Sequence, residues 1–441
     1  MKNLDLSPPS GTRDFFPETV KFRERVFAVI KSTFENFGFL PLETPAFERI
    51  ETLMGKYGAE GEKLIYKILK RGEKAATGEV DLALRYDFTV PLARVVAQYP
   101  HKIGTVFKRY QIGPVWRADR PGKGRFREFY QCDVDIVGSS SRLADAEIIL
   151  VVSEVLKALG LEKFVIQLNS RKVLEGLLES YDIPQASWTA VLTILDKLDK
   201  IGIEGVLTQL AERDIPAHII EQLKEDLTGN TVEARLRTRL QLSDVGREGL
   251  SEVDGIIHLA RSATDDARVV FNPSLARGLS YYTGPIFEVF TEELGLSIAG
   301  GGRYDELVGM FGKKPIPACG GSLGVERILS LLQEDEQQES ASPQVLVTVW
   351  NEEFWTDAIK IAHKLRAGGI STEIFLGTGG IGKQIKYASD KGIQFCVLFG
   401  PDEKSRGEIT VKNLRSGVQT VFKATRLEAE DLSSIFSNPA E

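Results

Sequence analysis

Two long stretches with period-two alternation, residues 105–117 and 126–138, constrain the fold of this chain most strongly. Both are rich in aromatic and β-branched residues, and a short, highly charged segment separates them. This pattern predicts a hairpin of two strands in which successive side chains point to opposite faces. Further strands are predicted at 82–89, 281–290 and 296–304, without regular helical crossovers. Such a succession favours a mostly antiparallel sheet.

Helical patterns surround and interrupt these strands. Residues 18–37 have apolar side chains at helical spacing and end before Gly38, a residue that readily adopts a left-handed helix cap. Residues 345–441 alternate strand and helix, as in a small parallel or mixed sheet. We therefore predict an α+β protein with a core at 1–169 and 266–333, a helical insertion at 170–265, a polar linker at 334–344 and an α/β domain at 345–441.

Composition excludes several classes of protein. A chain of 441 residues is expected to form more than one domain. No apolar run approaches the roughly 20 residues that cross a bilayer, and the start lacks a signal-peptide pattern, so we expect a soluble, cytoplasmic protein. The net charge of −7 argues against general affinity for nucleic acid. The three cysteines and four histidines are too scattered for a zinc site or a disulfide framework, so we predict no metal ligands from the protein.

The charged segment of the hairpin is strongly basic. Arginine forks on a turn between rigid strands suit polyphosphate, because the guanidinium keeps its charge and pairs bidentately with phosphate oxygens. The alternative interpretation is a solvated hairpin tip. The basic residues are Arg117, Arg120, Lys123, Arg125 and Arg127, against Asp119 and Glu128.

The returning strand, 126–138, has one polar face. Alternation places Phe129, Gln131, Asp133 and Asp135 on one side and the more apolar Tyr130, Cys132, Val134 and Ile136 on the other. A buried row of amide and carboxylates needs a polar ligand or a cation to satisfy it. Phe129 offers a stacking surface for a base. In the predicted strand 82–89, Arg85, Asp87 and Thr89 likewise share one face, where the alternative is a surface sheet with ordinary ion pairs.

Two glycine-rich stretches, 297–307 and 318–329, allow a ligand to approach the backbone closely. Neither has the spacing of a dinucleotide fingerprint or a phosphate-binding loop. Glycines in strands also mark bulges or tight packing. Arg327, just inside a predicted helix, could cover a nucleotide by planar stacking.

These ordered motifs resemble the histidyl-tRNA synthetase family over essentially the whole chain, from GTRDFFP to GKQIKYA. FGFLPLETPAFE, the 108–138 hairpin and GGSLGVERIL are similar to motifs 1, 2 and 3 of class II aminoacyl-tRNA synthetases. RGLSYYTGPIFE and AGGGRYD resemble stretches that mark the histidine family within the class. Ser280 stands where that family commonly has aspartate, and Asp87 and Asp135 are shorter than the glutamates of many bacterial relatives.

The resemblance implies a class II catalytic core, an anticodon-binding domain at 345–441 and specific site residues. For ATP, these are Arg117 at the α-phosphate, Arg125 at the outer phosphates, Asp119 nearby, and Phe129 with Arg327 around the adenine. For histidine, they are Asp87, Thr89 and Gln131 at the amino group, Asp135 with Tyr281 and Tyr282 at the imidazole, and Arg277 at the carboxylate. Arg117 and Arg277 would be the catalytic, charge-stabilising groups.

The implied reaction is ligation of L-histidine to tRNA(His) through a histidyl-adenylate, with ATP converted to AMP and pyrophosphate and with Mg²⁺ on the β- and γ-phosphates. A homodimer is also implied by the resemblance. Two other interpretations stay open at this point. One is a non-catalytic paralogue, such as the regulatory subunit of ATP phosphoribosyltransferase, although such proteins generally lack the anticodon domain. The other is a module that senses uncharged tRNA.

Overall fold

The computed structural model describes most of the chain: residues 5–122, 124–195, 197–228, 231–263, 268–276, 281–291, 295–312, 314–332, 341–425 and 436. Arg277, Ser280, Lys123 and most of the predicted linker lie outside these ranges. Two compact units are present, one formed mainly by residues 22–336 and the other mainly by 337–441. Within the described residues, the helices lack any segment long and apolar enough to span a bilayer.

The helices are α1 Pro17–Asn36, α2 Ile50–Leu53, α3 Gly58–Glu62, α4 Thr89–Gln98, α5 Pro100–Ile103, α6 Arg142–Ala158, α7 Arg171–Ser180, α8 Trp188–Leu195, α9 Leu198–Ala211, α10 Ala217–Leu227, α11 Val232–Leu240, α12 Asp244–Ala263, α13 Val325–Leu332, α14 Trp355–Ala367, α15 Ile381–Asp390 and α16 Pro401–Arg406. The strands are β1 Leu40–Pro41, β2 Phe47–Arg49, β3 Lys67–Leu69, β4 Val80–Leu84, β5 Phe107–Trp116, β6 Glu128–Val137, β7 Phe164–Ser170, β8 Val269–Phe271, β9 Pro285–Thr291, β10 Ser297–Arg303, β11 Ala318–Gly324, β12 Val345–Val347, β13 Thr372–Ile374, β14 Phe395–Leu398, β15 Glu408–Asn413 and β16 Gln419–Lys423.

The larger unit is organised around an eight-stranded sheet of order β1-β5-β6-β11-β10-β9-β7-β8. The end pairs β1·β5 and β7·β8 are parallel, and every pair between them is antiparallel. The mostly antiparallel sheet predicted from period two is therefore confirmed. Helix α6 packs on this sheet with buried residues such as Ile148 and Val152, which adjoin the backbone of Gly321 on β11.

One predicted strand is wrong in its second half. The pattern 82–89 suggested a continuous strand, but β4 ends at Leu84 and helix α4 begins at Thr89. The carboxylate of Asp87 accepts a hydrogen bond from the backbone N–H of Val90 at 3.2 Å, which satisfies a donor of the first helical turn. Asp87 and Thr89, which the pattern assigned to one face of a strand, therefore belong to the start of a helix.

The segment predicted as a helical insertion contains α7 to α12, between Arg171 and Ala263. Helix α12 also contacts β7 and β8 of the large sheet. The limits of this segment as a separate domain stay a prediction.

The smaller unit has a five-stranded sheet of order β13-β12-β14-β15-β16. Strand β12 pairs in parallel with both β13 and β14, whereas β15 and β16 are antiparallel. This is the mixed sheet predicted from the alternation of strand and helix. Its apolar core includes Val345, Val347, Leu365 and Val397.

Candidate active site

A cavity of about 530 Å³ opens on one face of β6, β10 and β11. Every predicted site residue that the structure describes lines this cavity, although these residues are spread over more than 200 positions of the sequence. They are Asp87, Thr89, Arg117, Asp119, Arg125, Phe129, Gln131, Asp135, Tyr281, Tyr282 and Arg327. The position of Arg277 is outside the described residues and stays a prediction.

The alternation predicted for the returning hairpin strand is observed on β6 from Gln131 onward. Phe129, Gln131, Asp133 and Asp135 line the cavity, while Cys132, Val134 and Ile136 are in the hydrophobic core. Tyr130, predicted on the apolar face, lines the cavity as well and is only partly buried against the core. We call the set Asp87, Gln131, Asp133 and Asp135 the acidic floor. Each of its members is at least nine-tenths buried, so their polar groups have lost most of their contact with water.

Asp135 is held by two buried partners. Its Oδ2 lies 2.7 Å from a guanidinium nitrogen of Arg109, and its Oδ1 accepts a short hydrogen bond from the hydroxyl of Tyr304. Burial raises the pKa of Asp135, and the charge of Arg109 opposes that shift. A Cβ on Gly320 would come within 1.9 Å of Oδ1, so the glycine is what makes room for the carboxylate.

Asp133 and Gln131 each have a buried oxygen without a hydrogen-bond partner among the described residues, namely Oδ1 and Oε1. The amide nitrogen of Gln131 donates to the hydroxyl of Ser322 on β11 at 2.8 Å, which fixes the amide. Burial raises the pKa of Asp133 to about 7, and neighbouring Asp135 adds to the shift. A ligand that donates hydrogen bonds would satisfy both oxygens.

Asp87 reaches the acidic floor from the start of α4. Its Oδ1 accepts hydrogen bonds from the hydroxyl of Tyr57 at 3.0 Å and from the N–H of Val90. Burial raises the pKa of Asp87, and the charge of Arg117 opposes the shift. Arg85, which the strand pattern placed on the same face, instead donates to the backbone oxygens of Pro114 and Thr44 and does not line the cavity.

Three arginines also line the cavity. We call Arg117, Arg125 and Arg327 the basic rim. Arg117 donates to the backbone oxygen of Tyr86 at 3.1 Å, and its guanidinium carbon lies 5.2 Å from the ring centre of Phe129. Arg125 is more exposed to solvent: 63% of its side chain is accessible, and its guanidinium forms an ion pair with Asp119 at 2.5 Å.

The remaining basic residues of the loop have other roles. Arg127 donates to the backbone oxygens of Asp119 and Ser10 and so supports the loop from outside the cavity. Arg120 is exposed and does not line the cavity. Arg327, at the start of α13, donates to the backbone oxygen of Ser297 and is thereby held at the cavity wall.

The glycine-rich strands β10 and β11 form one wall of the cavity. They pair so that Gly301 lies opposite Gly321 and Gly302 opposite Gly320. A Cβ on Gly301 would meet the backbone oxygen of Gly320 at 2.0 Å, so this part of the wall can consist only of backbone. The wall thus lets a ligand lie directly against the sheet.

Two family models match the chain. A histidyl-tRNA synthetase model covers residues 11–328, and an anticodon-binding domain model covers residues 344–438. The chain belongs to the histidyl-tRNA synthetase family. The residues matched by the first model, 11–328, include every described residue that lines the cavity.

Individual relatives agree over nearly the full length. The chain is 43% identical to a protein named histidine–tRNA ligase from Cytophaga hutchinsonii, covering 95% of this chain and 97% of the relative. It is 41% identical to one of the same name from Christiangramia forsetii, covering 94% and 96%. Histidyl-tRNA synthetase from Nostoc sp. PCC 7120 superposes with a TM-score of 0.78 at 32% identity, covering 96% and 98%.

Several residues that hold the carboxylates of the acidic floor carry no local sequence signal. Tyr57, Arg109 and Tyr304 hold the carboxylates of Asp87 and Asp135, yet Tyr304 is 169 residues from Asp135 in sequence. Only the tertiary fold brings them together. Asp133 did carry a signal, since it lies in the polar row of β6, but the family resemblance gave it no role.

Proposed function

We propose that this member of the histidyl-tRNA synthetase family activates L-histidine with ATP and transfers it to tRNA(His), releasing pyrophosphate and AMP. The observation that supports it best is the division of one cavity into an acidic floor and a basic rim. Such a cavity suits an amine-bearing substrate at one end and a polyphosphate at the other. Relatives about 40% identical over nearly their whole length are named histidine–tRNA ligase.

At the basic rim, we assign Arg117 to the α-phosphate, Arg125 with Asp119 to the outer phosphates, and Phe129 with Arg327 to the two faces of the adenine. The fixed position of Arg117 supports its assignment, because a preorganised cation stabilises charge that develops in the transition state. The exposed Arg125 suits the more solvated β- and γ-phosphates.

At the acidic floor, Asp87, Thr89 and Gln131 hold the α-ammonium group, and Asp135 with Tyr281 and Tyr282 faces the imidazole. The carboxylate of histidine then points toward the α-phosphate, which it attacks in line. Arg277 completes the neutralisation of charge there. No nucleophilic side chain is needed, since positioning and charge stabilisation supply the catalysis.

Magnesium enters this scheme with ATP. Among the described residues, no group of three histidine, cysteine, aspartate or glutamate side chains could hold a metal ion. Mg²⁺ commonly keeps several waters and binds substrate phosphates with few protein ligands. We therefore treat it as part of the nucleotide substrate.

The second step is attack by the terminal 3′-hydroxyl of tRNA on the adenylate carbonyl, with the unit at 345–441 binding the anticodon. We also propose a homodimer that works in the cytoplasm. Support for the dimer comes from the motif 1 segment, where Leu40 and Phe47 are 60% and 51% exposed. Large apolar side chains exposed together are typical of an interface.

Pyrophosphate exchange into ATP, measured with each of the twenty amino acids and without tRNA, tests the proposal. Exchange with histidine alone is expected. Exchange with another amino acid would retain the reaction and reject the substrate. A folded protein that exchanges with none would favour the regulatory or tRNA-sensing interpretation instead.

A further inference from the structure

The acidic floor has more acceptors than the roles assigned above use. Asp133 lines the cavity, is only 2% exposed, and has an Oδ1 without a hydrogen-bond partner among the described residues. On the same face of β6, Oε1 of Gln131 is also buried and has no hydrogen-bond partner among the residues that the structure describes. Leaving a buried acceptor unpaired destabilises the folded protein. These two oxygens therefore point to a ligand with several N–H donors.

Charge balance narrows the chemistry of that ligand. Asp135 is neutralised by Arg109 at 2.7 Å, whereas Asp133 forms no ion pair within the described residues. The groups that act on Asp133 are Asp135 on β6, Arg109 on β5, Ser322 on β11 and Asp87 at the start of α4. Only one of these is a cation, and it is already paired. The charge missing from the floor is positive.

We propose that Asp133 is a third acceptor for the α-ammonium group of the amino-acid substrate, together with Asp87 and Gln131. This inference rests on the proposed function. An ammonium group has three N–H donors and a permanent charge at neutral pH. The imidazole of histidine is mostly uncharged there and would not supply the missing charge.

The state of Asp135 supports this division of roles. Oδ2 of Asp135 forms an ion pair with Arg109, although it accepts no hydrogen bond among the described residues, and Oδ1 accepts a hydrogen bond from the hydroxyl of Tyr304. The charge of Asp135 is therefore balanced by a buried cation, whereas Asp133 forms no ion pair within the described residues. The two carboxylates of β6 therefore have different tasks: Asp135, whose charge Arg109 balances, faces the imidazole, and Asp133 carries the unbalanced charge that meets the ammonium group.

The test compares the wild-type protein with Asp133→Asn, which has nearly the same shape but no charge. In pyrophosphate exchange, KM for histidine should rise about tenfold to a hundredfold, the range for hydrogen bonds to charged groups. KM for ATP should stay within about twofold, because the basic rim is untouched. The matched control is Asp226→Asn, a buried aspartate of α10 that pairs with Arg239 and does not line the cavity. It should leave KM for histidine unchanged.

Two inhibitors separate a binding role from a structural one. Histidinol keeps the ammonium group, and imidazolepropionate lacks it. Asp133→Asn should weaken inhibition by histidinol as much as it raises KM for histidine, while inhibition by imidazolepropionate stays the same or strengthens. Equal weakening of both inhibitors would overturn the ammonium assignment.

The outcomes also separate the two proposals. Wild-type exchange with histidine, combined with an unchanged KM in Asp133→Asn, refutes the role of Asp133 and leaves the proposed function intact. Absence of histidine-dependent exchange in the wild-type protein refutes the proposed function, and the inference falls with it. If Asp133→Asn does not fold, Asp133→Ser is measured in the same way, with the same selective loss of histidinol binding expected.

Discussion

The acidic floor and the basic rim bind charged groups in opposite ways. Asp133 and Asp135 are each 2% exposed and sit in the middle of a paired strand, whereas the side chain of Arg125 is 63% exposed at a hairpin tip. A desolvated carboxylate without a partner is costly. The floor therefore discriminates against ligands that lack the donors its buried carboxylates need. Exposed arginines keep their charge at any working pH, so the rim can hold a solvated polyphosphate without being buried.

The largest expected effect comes from Arg117, which the backbone of Tyr86 holds in place. Arg117→Ala should lower the rate of pyrophosphate exchange about a hundredfold or more, the usual scale for losing one preorganised charge stabiliser. The rate is measured at saturating ATP and histidine, so that weaker binding does not account for the loss. Arg120→Ala, an exposed neighbour outside the cavity, is the control. A rate near wild type for Arg117→Ala would remove it from the catalytic groups.

Two separate glycine-to-alanine variants, one beside the floor and one in the rim loop, compare how rigid these two regions are. Gly320→Ala places a Cβ within 1.9 Å of the Asp135 carboxylate, whereas nothing lies within 4 Å of a Cβ at Gly122 in the rim loop. Overpacking of this kind destabilises by about 1–3 kcal/mol. Urea unfolding should show that loss for Gly320→Ala and almost none for Gly122→Ala. Equal stability of the two variants would mean that the floor is easily rearranged.

The pH dependence of stability sharpens the same contrast. The pKa of Asp133 is about 7 in the folded chain, above its ordinary value of 3.8, so the folded state binds an extra proton between those values. The contribution of Asp133 to stability is therefore lost as pH rises toward neutrality and beyond. Asp133→Asn removes this loss. Without ligand, its Tm should exceed that of the wild type more at about pH 8 than at about pH 5, by at least about 2 °C.

Histidine should reverse that difference, because the ammonium group stabilises the ionised carboxylate only in the wild type. Thermal melts with and without histidine measure this. If the Tm difference between wild type and Asp133→Asn is independent of pH, Asp133 keeps one protonation state throughout, contrary to the charge argument.

The smallest expected effect belongs to the ion pair between the buried Asp119 and the exposed Arg125. Asp119→Asn removes the partner of Arg125, and an ion pair whose cation is exposed to solvent contributes only about 0.2–1 kcal/mol. The free energy of unfolding should change by less than that, and the change should shrink further in high salt. A larger loss of stability would show that the rim is as rigidly built as the floor.

The floor and the rim were predictable from the sequence to different degrees. Period two on β6 placed Gln131, Asp133 and Asp135 on one face, because a paired strand has no other way to arrange them. The same rule was wrong for the segment before α4, where Asp87 serves as a hydrogen-bond acceptor for a helix start. An aspartate just before a helix and a proline in its first turn are both typical of helix starts, and Asp87 and Pro91 have these positions relative to α4. That competing signal was the correct one.

Long-range partners were beyond the reach of sequence patterns. Nothing near Arg109 or Tyr304 indicates that both hold Asp135, because their meeting depends on strand order and register across the large sheet. The family resemblance supplied the list of site residues but did not distinguish the ion-paired Asp135 from Asp133, which has no ion pair among the described residues. That distinction depends on neighbouring charges, which only the folded structure supplies.

The backbone wall of β10 and β11 limits how this protein could be redesigned. Gly300, Gly301, Gly320 and Gly321 line the cavity and already have the smallest possible side chain. Engineering that enlarges a pocket by truncating its lining residues therefore gains no space along these strands. Room for a bulkier amino acid has to come from the aromatic lining, Tyr281, Tyr282 and Tyr304, and shortening Tyr304 would release its hold on Asp135. Widening the substrate range by shortening Tyr304 would thus also weaken the positioning of the Asp135 carboxylate.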